Sequence, residues 1–550
     1  MRGFLKITLV IVMIGIATYA TIALAANAGT IIYLPLVSGP PEISEILPPT
    51  LKWQLGGCYS SWCETGWYSS PAVADLDGDG QVEVIGSAYS IFVLDGKSGA
   101  LEWQVASGHD RSDPGADVVG RTWPGIVIAD VDGDSQVEIV TAHGGGYLSV
   151  YERDGYFAAG WPKQLTGGLE LRGLSVSDLD LDGTLEIIAT GAVYDKLNTW
   201  VYEHDGTLRP GWPQLSNDSG YAYGIFNDNA AVGDLDGDGF GELVVPSDVH
   251  YISAYERDGT QIPAHAMYGG KGWGLVGVWE SPEIELRGWG TCDASDPRSE
   301  RYRANFAHGP AAIADVDGDG TKEAIATGNV YDCGYGSYPS RYIGVFIFNA
   351  DRSRFDQSGL DWSTGPVDTG APLSEDYGQI ENAQPNPAVA DLDGDGQLEI
   401  LFASYDGRLH AFWLDKTEHG NWPYTVNQPG EGFYRFASEP AVADLNGDGK
   451  AEVIFASWAE KGSGATGQLH ILDYLGNSLQ EVDLPQSYNG DWNGALAAPT
   501  LANIDGEDDL EVVLNTANSG IVAYDLPGTA QGTIFWGTGR GNYWRDGFIP

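Results

Sequence analysis

The chain has 550 residues, with 77 acidic against 28 basic side chains and a formal net charge of −49. A field of that sign repels nucleic acid and excludes it as a partner. The 18 Trp, 28 Tyr and 16 Phe exclude an acidic disordered chain, which lacks aromatics, and 76 Gly suit many short strands joined by tight turns.

The N-terminus reads as an export signal. Arg2 and Lys6 flank the start of an apolar stretch at residues 7–17, and Ala23, Leu24 and Ala25 form a small-x-small cleavage site. We expect a signal peptide over 1–25, a linker over 26–50 and a folded region over 51–550. No later stretch is long and apolar enough to span a bilayer. The protein is therefore expected to be secreted or held at the cell surface, with no transmembrane segment in the mature chain. Four Cys in an exported chain permit two disulfides, with free thiols as the alternative. Cys58 with Cys63 is the local pairing, leaving Cys292 with Cys333.

Eight copies of one motif follow: PAVADLDGDGQVEVI from Pro71, then copies from Val127, Ser175, Ala230, Ala311, Pro387, Pro440 and Pro499. Apolar runs of strand length flank each copy. A third, alternating segment follows, such as YLSVYERDG from Tyr147. A Trp-bearing segment often closes the unit, as in LEWQ (Trp103) and GWPK (Trp161). Four strands per repeat and little helical periodicity predict an all-β fold, a β-propeller of eight blades, with seven as the alternative. LKWQ at residues 51–54 looks like another Trp strand but has no motif before it. It is expected to close the ring beside the C-terminal TIFWGTGRG.

Acids recur at loop positions 1, 3, 5 and 9. The first loop carries Asp75, Asp77, Asp79, Gln81 and Glu83, and the second Asp130, Asp132, Asp134, Gln136 and Glu138. The third carries Asp178, Asp180, Asp182, Thr184 and Glu186, and the fourth Asp234, Asp236, Asp238, Phe240 and Glu242. The fifth has Asp315, Asp317, Asp319, Thr321 and Glu323, and the sixth Asp391, Asp393, Asp395, Gln397 and Glu399. The seventh has Asp444, Asn446, Asp448, Lys450 and Glu452; the degenerate eighth has Asn503, Asp505, Glu507 and Glu511. Alternate residues of a tight loop aim carboxylates inward, position 7 offers its backbone carbonyl, and position 9 closes the site. That is a donor set for calcium, which takes six to eight oxygens. An EF-hand would need an acid at position 12, where Gly86, Thr141 and their counterparts stand. About seven to eight calcium ions are expected, chiefly in a structural role, with the eighth loop the weakest.

The DxDGDGxxE motif between strands resembles the FG-GAP and VCBS-type repeats of bacterial extracellular proteins, and the calcium loops of the integrin alpha-chain propeller. The resemblance covers residues 51–550. It implies a calcium-stabilised propeller used in adhesion or in matrix or carbohydrate binding; some related propellers are polysaccharide lyases. The closing Glu departs from the Asp usual in integrin loops, and no RGD is present.

Two long insertions interrupt the repeats. Residues 267–308 gather Trp273, Trp279, Arg287, Trp289 and Arg303, a basic-aromatic cluster in a chain poor in bases, and so a candidate surface for a glycan or protein ligand. Residues 351–386 are polar and acidic. No HExxH, GxSxG or P-loop is present, so no catalytic residue is singled out. The reading is a calcium-binding propeller for adhesion or ligand recognition, with an extracellular polysaccharide lyase or hydrolase as the alternative.

Overall fold

The computed structural model describes residues 24–26, 30–32, 45–58, 65–66, 68–165, 169–192, 197–214, 230–288, 290–293, 295–296, 300–307, 309–336, 339–357, 359–366, 370, 372–376 and 386–550. Two units are distinct. In Met1–Ile43, Leu24–Ala26 pairs antiparallel with Thr30–Ile32. Ser44–Pro550 is an eight-bladed β-propeller.

Each blade is an antiparallel sheet whose first two strands bracket an Asp/Gly loop. Blade one comprises Ala72–Ala74, Glu83–Ser87, Ser90–Asp95 and Leu101–Ala106. The next six blades begin at Val127–Ala129, Glu170–Ser177, Ala231–Gly233, Ala311–Ala314, Ala388–Ala390 and Ala441–Asp444. Blades three and four differ from the expected four strands. Each forms a three-stranded sheet, and isolated bridges such as Thr199 to Gln214 and Tyr255 to Gln261 stand where a fourth strand would pair.

Blade eight joins the two ends of the propeller. Thr500–Ala502, Leu510–Asn515 and Ile521–Leu526 come from the C-terminal side, and Thr50–Leu55 pairs with the last of them. The LKWQ strand therefore closes the ring, but not beside TIFWGTGRG. Thr533–Trp536 pairs instead with the first strand of blade seven, Ala441–Asp444.

The tail beyond it runs among the first strands, which neighbour one another from blade to blade. Leu501 N–H donates to Gly537 O (2.8 Å), Ile128 to Tyr543 O (3.2 Å), Val176 to Trp544 O (3.0 Å), Val232 to Asp546 O (2.9 Å) and Ile313 to Gly547 O (2.8 Å). The tail thus fills the centre of the ring. This accounts for the small residues of the first strands: a Cβ on Gly233 would meet the Phe548 ring at 2.3 Å.

Arg545, fully buried, ties this plug to the blades. Its Nε donates to Ile126 O (2.9 Å), Nη1 to Thr538 Oγ1 (2.7 Å) and Gly539 O (2.8 Å), and Nη2 to Pro71 O (3.0 Å).

Tryptophan indoles lock blade to blade. Trp53 Nε1 donates to Gly96 O (2.8 Å), Trp161 to His204 O (2.8 Å), Trp212 to Arg257 O (3.2 Å), Trp362 to Leu414 O (2.8 Å) and Trp422 to Tyr474 O (2.9 Å). Each indole buries its apolar body between blades and satisfies its one donor on the next blade's outer turn.

Arg545→Ala is expected to cost about 3 kcal/mol, because several buried carbonyls lose a charged donor. A lowered urea midpoint at unchanged slope measures it.

Candidate functional site

The Asp/Gly loops share one internal geometry. In every loop the closing glutamate is buried, and its Oε2 accepts the backbone N–H of position 2. Leu76 donates to Glu83 (2.8 Å), Val131 to Glu138 (2.8 Å), Leu179 to Glu186 (2.7 Å) and Leu235 to Glu242 (2.7 Å). Val316 donates to Glu323 (3.1 Å), Leu392 to Glu399 (2.7 Å), Leu445 to Glu452 (2.7 Å) and Ile504 to Glu511 (2.8 Å). The first Asp accepts loop amides: Gly78 N–H and Gly80 N–H reach Asp75 at 2.8 and 3.0 Å. Positions 3 and 5 accept loop amides in turn, Asp77 from Asp79 N–H (3.0 Å) and Asp79 from Gln81 N–H (2.8 Å).

Carboxylate oxygens converge accordingly. Those of Asp75, Asp77 and Asp79 lie within 4.8 Å of one another, as do those of Asp130, Asp132 and Glu138, and of Asp234, Asp236 and Glu242. Asp315, Asp317 and Asp319 do the same. This all-oxygen set fits a hard divalent cation. Burial, with the loop acids adding to it, pushes Glu83 and Glu323 up to about 7 and Glu138, Glu242, Glu399 and Glu452 to about 8. A countercharge in the loop would keep them ionised.

Position 7 side chains do not join the donors. Gln81 Nε2 and Gln136 Nε2 turn back to Asp79 (3.0 Å) and Asp134 (2.7 Å), the Thr321 hydroxyl to Asp319 (2.6 Å), and Phe240 lies under Arg257. Sequence reasoning missed a further set of acids. Glu102, Glu152 and Glu256 sit beside loops one, two and four, and burial with the loop carboxylates raises all three. The Tyr-Glu-x-Asp-Gly turns of blades two and four were the available signal.

A second site lies at the opposite end of the strands. The hairpin between the second and third strands of blade four and the 267–308 insertion enclose a cavity of about 610 Å³, within the usual range for a small-molecule site. Asp248, His250, Lys271, Trp279, Arg303 and Tyr331 line it. Asp248 accepts from Asn305 Nδ2 at 2.9 Å, and burial pushes it up to about 6. His250 is pushed down to about 3 by burial, with Arg303 adding to the shift, and is therefore neutral. Arg303 Nε donates to Tyr331 Oη at 2.6 Å. Gly277 lets the backbone pass beside the imidazole, since a Cβ there would meet His250 at 2.7 Å.

The insertion is tied down beneath this cavity. A short helix, Pro282–Arg287, presents Glu285 to two buried arginines, with Arg354 Nη2 at 2.5 Å and Arg352 Nη1 at 3.5 Å. Cys292 and Cys333 are joined in a disulfide, clipping the insertion to blade five. Cys63, the expected partner of Cys58, lies outside the described residues, as does Trp289.

The candidate ligand residues separate. Trp279 and Arg303 line the cavity. Trp273 is fully buried and donates to Ala350 O (3.1 Å), so it is core rather than binding surface. Arg287 pairs with Glu300 at 3.1 Å. At the ring's centre, Tyr68, Trp123, Arg172, Arg540 and Arg545 line a space of about 30 Å³. Among the described residues no helix is long and apolar enough to cross a membrane.

Residues 130–189, 178–245 and 391–455 match the FG-GAP-like repeat. Rhamnogalacturonan endolyase YesW of Bacillus subtilis (strain 168) is 26% identical over 299 residues, which is 48% of this chain and 43% of that protein. The match thus spans less than half of the relative's length. Among solved structures, rhamnogalacturonan lyase YesW superposes with a TM-score of 0.44 at 16% identity, covering 88% of this chain and 75% of that one. BamB from Moraxella catarrhalis gives 0.43 at 13% identity, covering 87% and 99%. Such scores do not say what the chain does. The sequence relative is a lyase, which favours the alternative of the sequence reading over adhesion.

Two non-glycine residues hold left-handed backbone in the loops, Ser135 (φ 70°) and Leu181 (φ 61°). Leu181 is 63% exposed, so its side chain contributes little packing. Leu181→Gly is expected to stabilise the protein by about 1 kcal/mol, read as a raised melting temperature. Replacing Cys292 and Cys333 together by Ser opens a link of sequence separation 41. A loss of about 4 kcal/mol is expected on the chain-entropy account, checked by denaturant titration.

Proposed function

We propose that this FG-GAP-repeat β-propeller is an exported, calcium-stabilised polysaccharide lyase that cleaves an acidic glycan of the rhamnogalacturonan type. The observation that carries the reading is the cavity between blades four and five. In a chain of net charge −49 it gathers Lys271 and Arg303 with an aromatic wall and a carboxylate held near neutrality. The relationship to a rhamnogalacturonan endolyase supports the substrate class.

β-Elimination from a uronate needs three things: neutralisation of the sugar carboxylate, a base for the C5 proton and a proton for the departing O4. Arg303 and Lys271 bind the carboxylate and stabilise charge as it develops on the adjacent carbon. The Asp248 carboxylate takes the C5 proton. The C4–O4 bond breaks as the C4=C5 double bond forms, and the Asp248 carboxyl returns the proton to O4. No water is consumed. Neutral His250 accepts or donates a hydrogen bond without competing for the carboxylate. Trp279, T-shaped against His250, forms part of the cavity wall. Calcium in the Asp/Gly loops would supply the countercharge that holds the closing glutamates ionised, at the end of the blades remote from this cavity.

The test is incubation of the full chain with rhamnogalacturonan and, separately, with neutral arabinan, read by ultraviolet absorbance of the unsaturated product. Absorbance should rise with the acidic polymer alone. Asp248→Asn and Arg303→Ala should each lower the rate by about 100-fold or more. The rate should climb as pH rises through about 6, because the base works only when deprotonated. Binding of the acidic polymer without any unsaturated product would return the protein to the ligand-recognition reading. Chelation should lower the melting temperature; each loop that holds calcium contributes about 1.4 kcal/mol at calcium tenfold above its Kd.

A further inference from the structure

The eight loops are not alike in what surrounds them. Loops three and eight are penetrated by a basic side chain, whereas among the described residues no ion pair reaches the acids of the other six.

In loop three the intruder is Arg209, which is buried. Its Nη2 lies 2.9 Å from Asp180 Oδ2, and its Nη1 lies 3.1 Å from Glu186 Oε1 and 3.2 Å from Glu203 Oε2. The oxygens of Asp178, Asp180 and Glu186 converge as in other loops, yet the guanidinium already bridges two of them. Its position is not one the repeat requires to be basic. Arg209 N–H donates to Val201 O, as Ala158 N–H does to Val150 O and Ile262 N–H to Ala254 O in the neighbouring blades. Blades two and four thus carry Ala and Ile where blade three carries Arg.

In loop eight the intruder is Lys52. Its Nζ lies 2.5 Å from Asp505 Oδ2 and 3.1 Å from Glu511 Oε1, the inward oxygen of the closing glutamate. A break in register between Leu51 and Trp53 sets Lys52 apart from the strand ladder and aims it at the loop. Blade one repeats this detail with the opposite charge. In its LEWQ strand the register breaks between Leu101 and Trp103, and the residue so displaced is Glu102, whose charged neighbours include Asp77 and Asp79. One backbone position thus adds an acid to loop one and a base to loop eight. Loop eight is also closed on itself, since the Asn503 amide donates to Glu507 O, and Lys97 stands 4.0 Å from Glu507.

We infer that loops three and eight take no divalent ion and are neutralised from within, by the Arg209 guanidinium and the Lys52 ammonium, leaving six of the eight loops for calcium. This rests on the calcium reading of those six.

Elemental analysis of the full chain, after dialysis against calcium and removal of free ion, tests it. Six calcium ions per chain are expected. Arg209→Met, and Lys52→Glu in imitation of Glu102, should each bind one more. Eight ions in the unaltered chain would overturn the inference while leaving the calcium reading intact. None would overturn both. In chelator, Arg209→Met and Lys52→Met should melt below the unaltered chain, because the substituted loops lose a charge that chelation cannot remove. Unchanged melting of both variants in chelator would also overturn the inference.

Discussion

A carboxylate buried at the start of every second strand is the constraint on which this molecule is built. Glu83 and its seven counterparts lie within the sheets, each holding the amide of loop position 2 through one oxygen. That bond locks the loop to the strand that follows it. The second oxygen faces other acids. A buried carboxylate that is not countered costs several kcal/mol or gives up its charge. The fold therefore repeats, eight times, a demand for a positive charge at the same place. An external cation and an internal side chain are two answers to that demand, and Lys52 and Arg209 give the second in loops eight and three.

Ring closure follows a related economy. A propeller with open ends would leave the first and last blades to separate. Here the N-terminal strand completes blade eight, and the C-terminal tail threads the first strands of several blades. Both termini of the propeller are thereby bound to elements hundreds of residues away in sequence. Arg545 acts as the hub: a guanidinium has five donors in a fixed fork, which suits carbonyls arriving from several blades. The tail runs along the first strands at the axis, and the cavity between blades four and five lies off it.

That cavity owes its character to the insertion. Blade four alone would present only the short turn between Glu242–Pro246 and Ile252–Tyr255. The added segment brings Lys271, Trp279 and Arg303 over the hairpin holding Asp248 and His250, while Glu285, the two buried arginines and the disulfide hold the segment in place. Buried Arg352 and Arg354 thus hold the segment from beneath, while Lys271 and Arg303 line the cavity.

The sequence by itself determined the repeat, the eight blades, the positions of the acidic loops and the insertion with its basic-aromatic content. These are local patterns: strand periodicity and loop spacing are written within a few residues, and eight copies in register reinforce one another. It also marked Trp279 and Arg303, because bases are scarce in this chain. Tertiary structure alone decided the rest. LKWQ closes the ring beside Ile521–Leu526 while Thr533–Trp536 goes to blade seven, a choice between distant partners of similar strand character. Asp248 and His250 carry no motif; burial under the insertion is what shifts them. Trp273 and Trp279 read alike in sequence, yet one fills the core and the other lines a cavity. Lys52 and Arg209 look like ordinary surface bases until the fold sets them beside acids far along the chain. Charge compensation is a property of neighbours in space, and a sequence lists only neighbours along the chain.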